Sequence, residues 1–66
     1  MSDVKMADLQ DGTRIHHVRW RATGTIQVDD GRVRVVWDGS LIETQISEEG
    51  PVWPEDVEIL AKGAGS

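Results

Sequence analysis

The 66-residue chain has no cysteine, no phenylalanine and no tyrosine, and it has only two prolines. Without cysteine there can be no disulfide, no thiolate metal site and no thiol nucleophile, so stability must come from packing and backbone hydrogen bonding. Long apolar runs are also missing. The longest are three residues, such as Val35-Val36-Trp37, far short of the roughly 18 to 20 that a membrane helix requires. No basic segment followed by an apolar stretch opens the sequence. A cytoplasmic protein without a membrane partner is therefore expected. The length leaves room for one domain, of a size that buries roughly 60% of the surface its unfolded chain exposes.

Positive charge is scarce as well, with seven Lys or Arg against twelve Asp or Glu and a net charge of -5. That balance argues against a general nucleic-acid binder, because phosphate binding needs a cationic surface. The total conceals a segregation. Residues 14 to 36 hold Arg14, Arg19, Arg21, Arg32 and Arg34 against Asp29 and Asp30 alone. Residues 37 to 60 hold Asp38, Glu43, Glu48, Glu49, Glu55, Asp56 and Glu58 with no base among them.

What the chain does have is dense, regular punctuation. Asp11-Gly12, Asp30-Gly31, Asp38-Gly39 and Gly50-Pro51 are turn signals separating short runs rich in Val, Ile, Thr and Trp, the rhythm of a small all-β protein. Residues 1–8 lack a sustained period and read as a flexible arm, with Leu9 the first anchor. Residues 61–66 are small and Gly-rich and read as a flexible tail. The domain proper is residues 9–60.

A two-residue turn at Asp30-Gly31 predicts that Asp29 faces Arg32, Val28 faces Val33, Gln27 faces Arg34, Ile26 faces Val35 and Gly24 faces Trp37. Gly24, Ile26, Val28, Val33, Val35 and Trp37 then share one face, and a slip of one residue would destroy that sorting. Gly24 should leave space for the Trp37 indole. A second two-residue turn at Asp38-Gly39 would pair Val35 with Ile42 and Arg34 with Glu43, extending the inner face through Ile42, Thr44 and Ile46. It would also set Val36 beside Leu41 on the outer face. Thr13 to Trp20 is ambiguous by alternation, and Ile15 is the choice for the core. Trp53-Pro54-Glu55-Asp56-Val57 reads as one helical turn with proline at its first position. Glu58-Ile59-Leu60 is the closing strand.

This order of elements resembles the small SH3-like barrels, including Tudor, KOW and MIB/HERC2-type domains. The resemblance is carried by Asp11-Gly12-Thr13-Arg14-Ile15, Thr23-Gly24-Thr25-Ile26, Gly31-Arg32-Val33-Arg34-Val35-Val36-Trp37-Asp38-Gly39 and Trp53-Pro54-Glu55-Asp56-Val57-Glu58-Ile59-Leu60. It implies an SH3-like, partly open barrel of about five antiparallel strands, with a short helical turn before the last. The roles such barrels fill are mostly binding roles.

Chemistry-bearing residues are few. His16 and His17 would point to opposite faces of a strand and so cannot easily chelate one ion; both read as surface histidines. No Ser/His/Asp set, P-loop or Gly-rich phosphate loop is present, and the acids read as a solvated rim. No catalytic residue, metal ligand or cofactor is assigned, and the chain is not expected to be an enzyme. Trp37 belongs to the core, and Trp53 should pack under the closing turn. Trp20, between Arg19 and Arg21, is either an interface residue or a plug at the barrel end. A cage built from Trp20, Trp53 and an acid is the thinner alternative. The expected function is a non-enzymatic module, a monomer or weak dimer, that binds a protein through Arg19, Trp20, Arg21, Arg32, Arg34, Val36 and Leu41. Nucleic-acid binding by an arginine strip is the alternative.

Overall fold

The structure, a computed structural model, describes residues 4–63. The outermost parts of the expected arm and tail, residues 1–3 and 64–66, lie outside the described residues. The fold is all-β: β1 (Arg14–His17), β2 (Ala22–Asp29), β3 (Arg32–Trp37), β4 (Glu43–Gln45) and β5 (Val57–Ala61). They form one antiparallel sheet in the order β4-β3-β2-β1-β5, which does not close on itself. A 3₁₀ turn at Met6–Asp8 precedes the sheet and a second at Pro54–Asp56 leads into β5, with Pro54 opening it.

The β2–β3 hairpin has the expected register, from Asp29 opposite Arg32 to Gly24 opposite Trp37. Asp30 and Gly31 both have positive φ, 51° and 75°. That combination gives a two-residue turn whose twist matches the strands it joins. Gly24 is needed for a different reason from the one expected. A Cβ there would lie 2.6 Å from Val35 Cγ2 and 2.7 Å from the Val36 carbonyl oxygen. The absent side chain thus lets the β3 backbone approach β2; the Trp37 ring is not what it accommodates.

The second hairpin differs from expectation by two residues: Arg34 faces Gln45, Val35 faces Thr44 and Val36 faces Glu43. Asp38-Gly39 does turn the chain, with Gly39 at φ 73° and Ser40 N–H donating to Trp37 O at 3.2 Å. Pairing with β4 resumes only at Ile42, whose carbonyl accepts the Trp37 N–H at 3.4 Å and whose N–H donates to Ser40 Oγ at 3.1 Å, so Ser40 and Leu41 lengthen the loop by two residues. On the other edge of β3, Asp38 N–H donates to the Thr23 carbonyl at 2.9 Å. A shift of two preserves parity. Ile46 therefore keeps its buried position, but Ile42 lies at the sheet end and is exposed, and Leu41 falls in the loop instead of beside Val36.

Leu9, Ile15, Ile26, Val35, Ile46, Val52 and Val57 form the buried core, and Thr13 and His17 are buried with them. Val4, Met6, Val33, Trp37 and Ile59 pack around this cluster. Val4 and Met6 belong to the segment expected to be a loose arm, so its described part lies against the core. Val28, expected on the inner face, is largely exposed near the hairpin tip. At the other terminus β5 runs to Ala61, and Gly63 N–H donates to the Thr13 hydroxyl at 3.1 Å.

Because Gly24 meets a side chain and a main-chain oxygen at once, neither rotamer change nor local relaxation frees the space. Gly24→Ala is expected to destabilise the fold by about 1 to 3 kcal/mol, read as a lower urea midpoint.

Candidate functional site

The loop between β1 and β2 (residues 18–21) and the loop between β3 and β4 (residues 38–42) leave the antiparallel sheet at the same end. The core parity that buries Ile15 also buries His17, two residues on. His17 is only 1% exposed, which corrects its reading as a surface histidine. Its Nδ1 accepts the Trp20 backbone N–H at 3.0 Å. The Trp20 indole then folds over the imidazole, with centroids 4.3 Å apart and planes 17° from parallel. Trp37 meets the same imidazole edge-on at 6.0 Å and lies 5.7 Å from Trp20, while its own Nε1–H donates to Thr44 Oγ1 at 2.9 Å. Arg21, at φ 52°, closes the loop in the left-handed region. Val18 N–H donates to the Asp56 carbonyl, and Arg19 Nε approaches the Asp56 carboxylate at 3.7 Å, joining the loop to the second 3₁₀ turn.

Trp20 is thus seated on one face and remains 52% exposed. Beside Trp37, across the backbone bond to Ile42, the next loop presents Ile42 at 66% and Leu41 at 99% exposure. Ile42 was missed by the sequence reading because its exposure depends on the two-residue shift. Val36, by contrast, is half-buried between Thr25 and Glu43 in the outer rows of the sheet. Its expected pairing with Leu41 does not form. Trp53 makes no ring contact with Trp20 among the described residues; its ring rests against Gly50, and it lines a groove together with Pro54 and Glu55 of the closing turn.

The arginines are not gathered into one strip. Arg14 grips Asp38 through two bonds of 2.8 and 2.5 Å and also donates to Thr25 Oγ1 at 2.8 Å. Hydrogen bonding to Arg14 holds the Asp38 carboxyl below its usual range. Arg34 lies between Asp29 at 3.5 Å and Glu43 at 3.6 Å, so the expected partner Glu43 is reached diagonally, while Asp29 turns from Arg32 to Arg34. Among the described residues Arg21 and Arg32 have no ion pair. They flank β2 at opposite ends, roughly 25 Å apart at the usual rise per residue.

His16 and His17 point to opposite faces, and among the described residues no group of three or more His, Cys, Asp or Glu could hold a metal ion. No protein-family model, curated protein or solved structure matches the chain.

Burial lowers the His17 pKa, against the opposing pull of Asp56 and with smaller help from Arg19 and His16. The geometry acts in the same direction, since a protonated Nδ1 would turn a donor toward the Trp20 N–H. Between the lowered folded value and about 6.5 the unfolded chain binds more protons, so stability rises with pH there. The His17 contribution is complete above about pH 6.5 and declines below it. The urea midpoint should fall from pH 7 toward pH 5. His17→Asn, which keeps an acceptor near the position of Nδ1, should flatten that slope.

Proposed function

We propose that this domain is a non-enzymatic interaction module of the SH3-like barrel type, and that it binds a protein partner through the loop end carrying Trp20, Trp37, Leu41 and Ile42. The observation that carries this reading is the exposure of three large apolar side chains, Trp20, Leu41 and Ile42, beside the aromatic cluster of Trp20, His17 and Trp37. Seated aromatics with apolar neighbours and a nearby arginine are the usual makings of an interface centre. The strand order and the 3₁₀ turn ahead of β5 support the barrel class. The outer sheet face around Val36 contributes less than its sequence suggests, because Arg14 pairs with Asp38 and Arg34 with Asp29 and Glu43 there. The same pairing weakens the nucleic-acid reading, as does the net charge of -5.

A photo-cross-linking residue at position 41 tests the proposal in cells. A discrete protein adduct is expected there and not from position 31 at the far end of the hairpin. Trp20→Ala should reduce the adduct at least tenfold while amide spectra remain those of a folded sheet. Adducts indifferent to Trp20, no discrete adduct, or adducts to nucleic acid would each overturn it.

A further inference from the structure

A concavity of about 330 Å³ lies between the two 3₁₀ turns. Val4, Met6, Trp53 and Pro54 supply its apolar lining, and Lys5, Glu48 and Glu55 its charged lining. Its walls are firmly held. Leu9, which follows the first turn, is buried, and Asp8 N–H donates to Lys5 O at 2.9 Å. On the other side Ser47 Oγ donates to Gly50 O at 2.8 Å, and Gly50 has φ +84°. The Trp53 ring lies so close to Gly50 that a Cβ there would come within 3.0 Å of Cζ2. Trp53 is nevertheless 40% exposed. Its indole is therefore backed by main chain on one side and available on another.

Among the described residues the acids around this groove outnumber the bases. Asp29, Asp38, Glu43 and Asp56 are the acids that pair with arginines. Glu48 and Glu55 have no ion pair among the described residues, and neighbouring Glu49 has none either. Lys5 is the single base in the lining. An apolar groove with a net negative rim favours a chain that alternates apolar and cationic side chains. The long stem of a lysine or arginine can cover apolar surface while its charge stays at the rim, and an indole face attracts such a cation. The volume suits a few side chains and is at the small end for a cofactor.

We propose that the groove between the two 3₁₀ turns docks a basic, apolar-alternating peptide segment of another protein, with apolar side chains against Met6, Trp53 and Pro54 and cations toward Glu48 and Glu55. This surface is separate from the Trp20 loop and does not depend on the role proposed for that loop.

The test is an amide and indole NMR titration of the full chain with an acetylated heptapeptide of alternating leucine and arginine, and with its counterpart carrying glutamate for arginine. The arginine peptide should shift Met6, Glu48, Glu55 and the Trp53 indole N–H, leaving the Trp20 indole N–H unmoved. Glu48→Gln combined with Glu55→Gln should weaken binding at least fivefold, and Trp53→Ala should abolish it. The double glutamine variant keeps the test decisive if Trp53→Ala does not fold. No shifts at millimolar peptide, equal shifts from both peptides, or indifference to the double variant would overturn the proposal.

Discussion

The close approach of β2 and β3 at Gly24 is the constraint on which the rest of this small structure depends. No cross-link holds the chain, and its core is built from Ile and Val side chains with a single leucine. Ile15, Ile26 and Val35 come from three successive strands and are fully buried, each worth roughly 1.5 to 3 kcal/mol relative to exposure. They meet only while the β2–β3 register holds, since a slip of one residue would turn each inner side chain outward. The positive φ angles of Asp30 and Gly31 set that register from one end, and the Asp38 bond to Thr23 holds it at the other.

The same register produces the loop end. Burying Ile15 obliges His17 to point inward, where an imidazole needs both burial and a partner. The Trp20 main chain supplies the partner, and its indole covers the ring. The turn at Asp38-Gly39 is followed by Ser40 and Leu41 before pairing with β4 resumes, and those two extra residues leave Leu41 and Ile42 at the sheet end in solvent. The exposed apolar group is thus a by-product of satisfying the core.

Folding also redistributes the charge. Arg14 and Arg34 from the basic stretch meet Asp38 and Glu43 from the acidic one, and Arg19 meets Asp56. Such exposed pairs add little stability, but they determine which fields survive. Arg14, Arg19 and Arg34 are paired, while Glu48, Glu49 and Glu55 near the second 3₁₀ turn have no ion pair among the described residues. Asp11, Asp30 and Glu58 have none there either, so the acid excess behind the net charge of -5 is spread over more than one edge.

Much of the fold is legible in the sequence, because strand alternation and turn chemistry are local. Asp30-Gly31 alone determined the β2–β3 pairing, and Pro54 with two following acids marked the helical turn before the last strand. Trp20 between two arginines and the exposed position of Leu41 were visible as candidates for the site. The β3–β4 register was not legible, since Asp38-Gly39 marks the turn but not the two further loop residues, Ser40 and Leu41, that precede the Trp37–Ile42 hydrogen bond. Nor was the seat of Trp20, because burial of His17 follows from which face of β1 meets the core, and alternation left that open. The docking of Val4 and Met6 beside Trp53 depends likewise on surfaces assembled from distant segments. Local periodicity determines which strands form and which side chains share a face. Only tertiary hydrogen bonding and packing decide how far a loop runs past its turn, which polar group is enclosed, and which apolar and charged groups are left exposed.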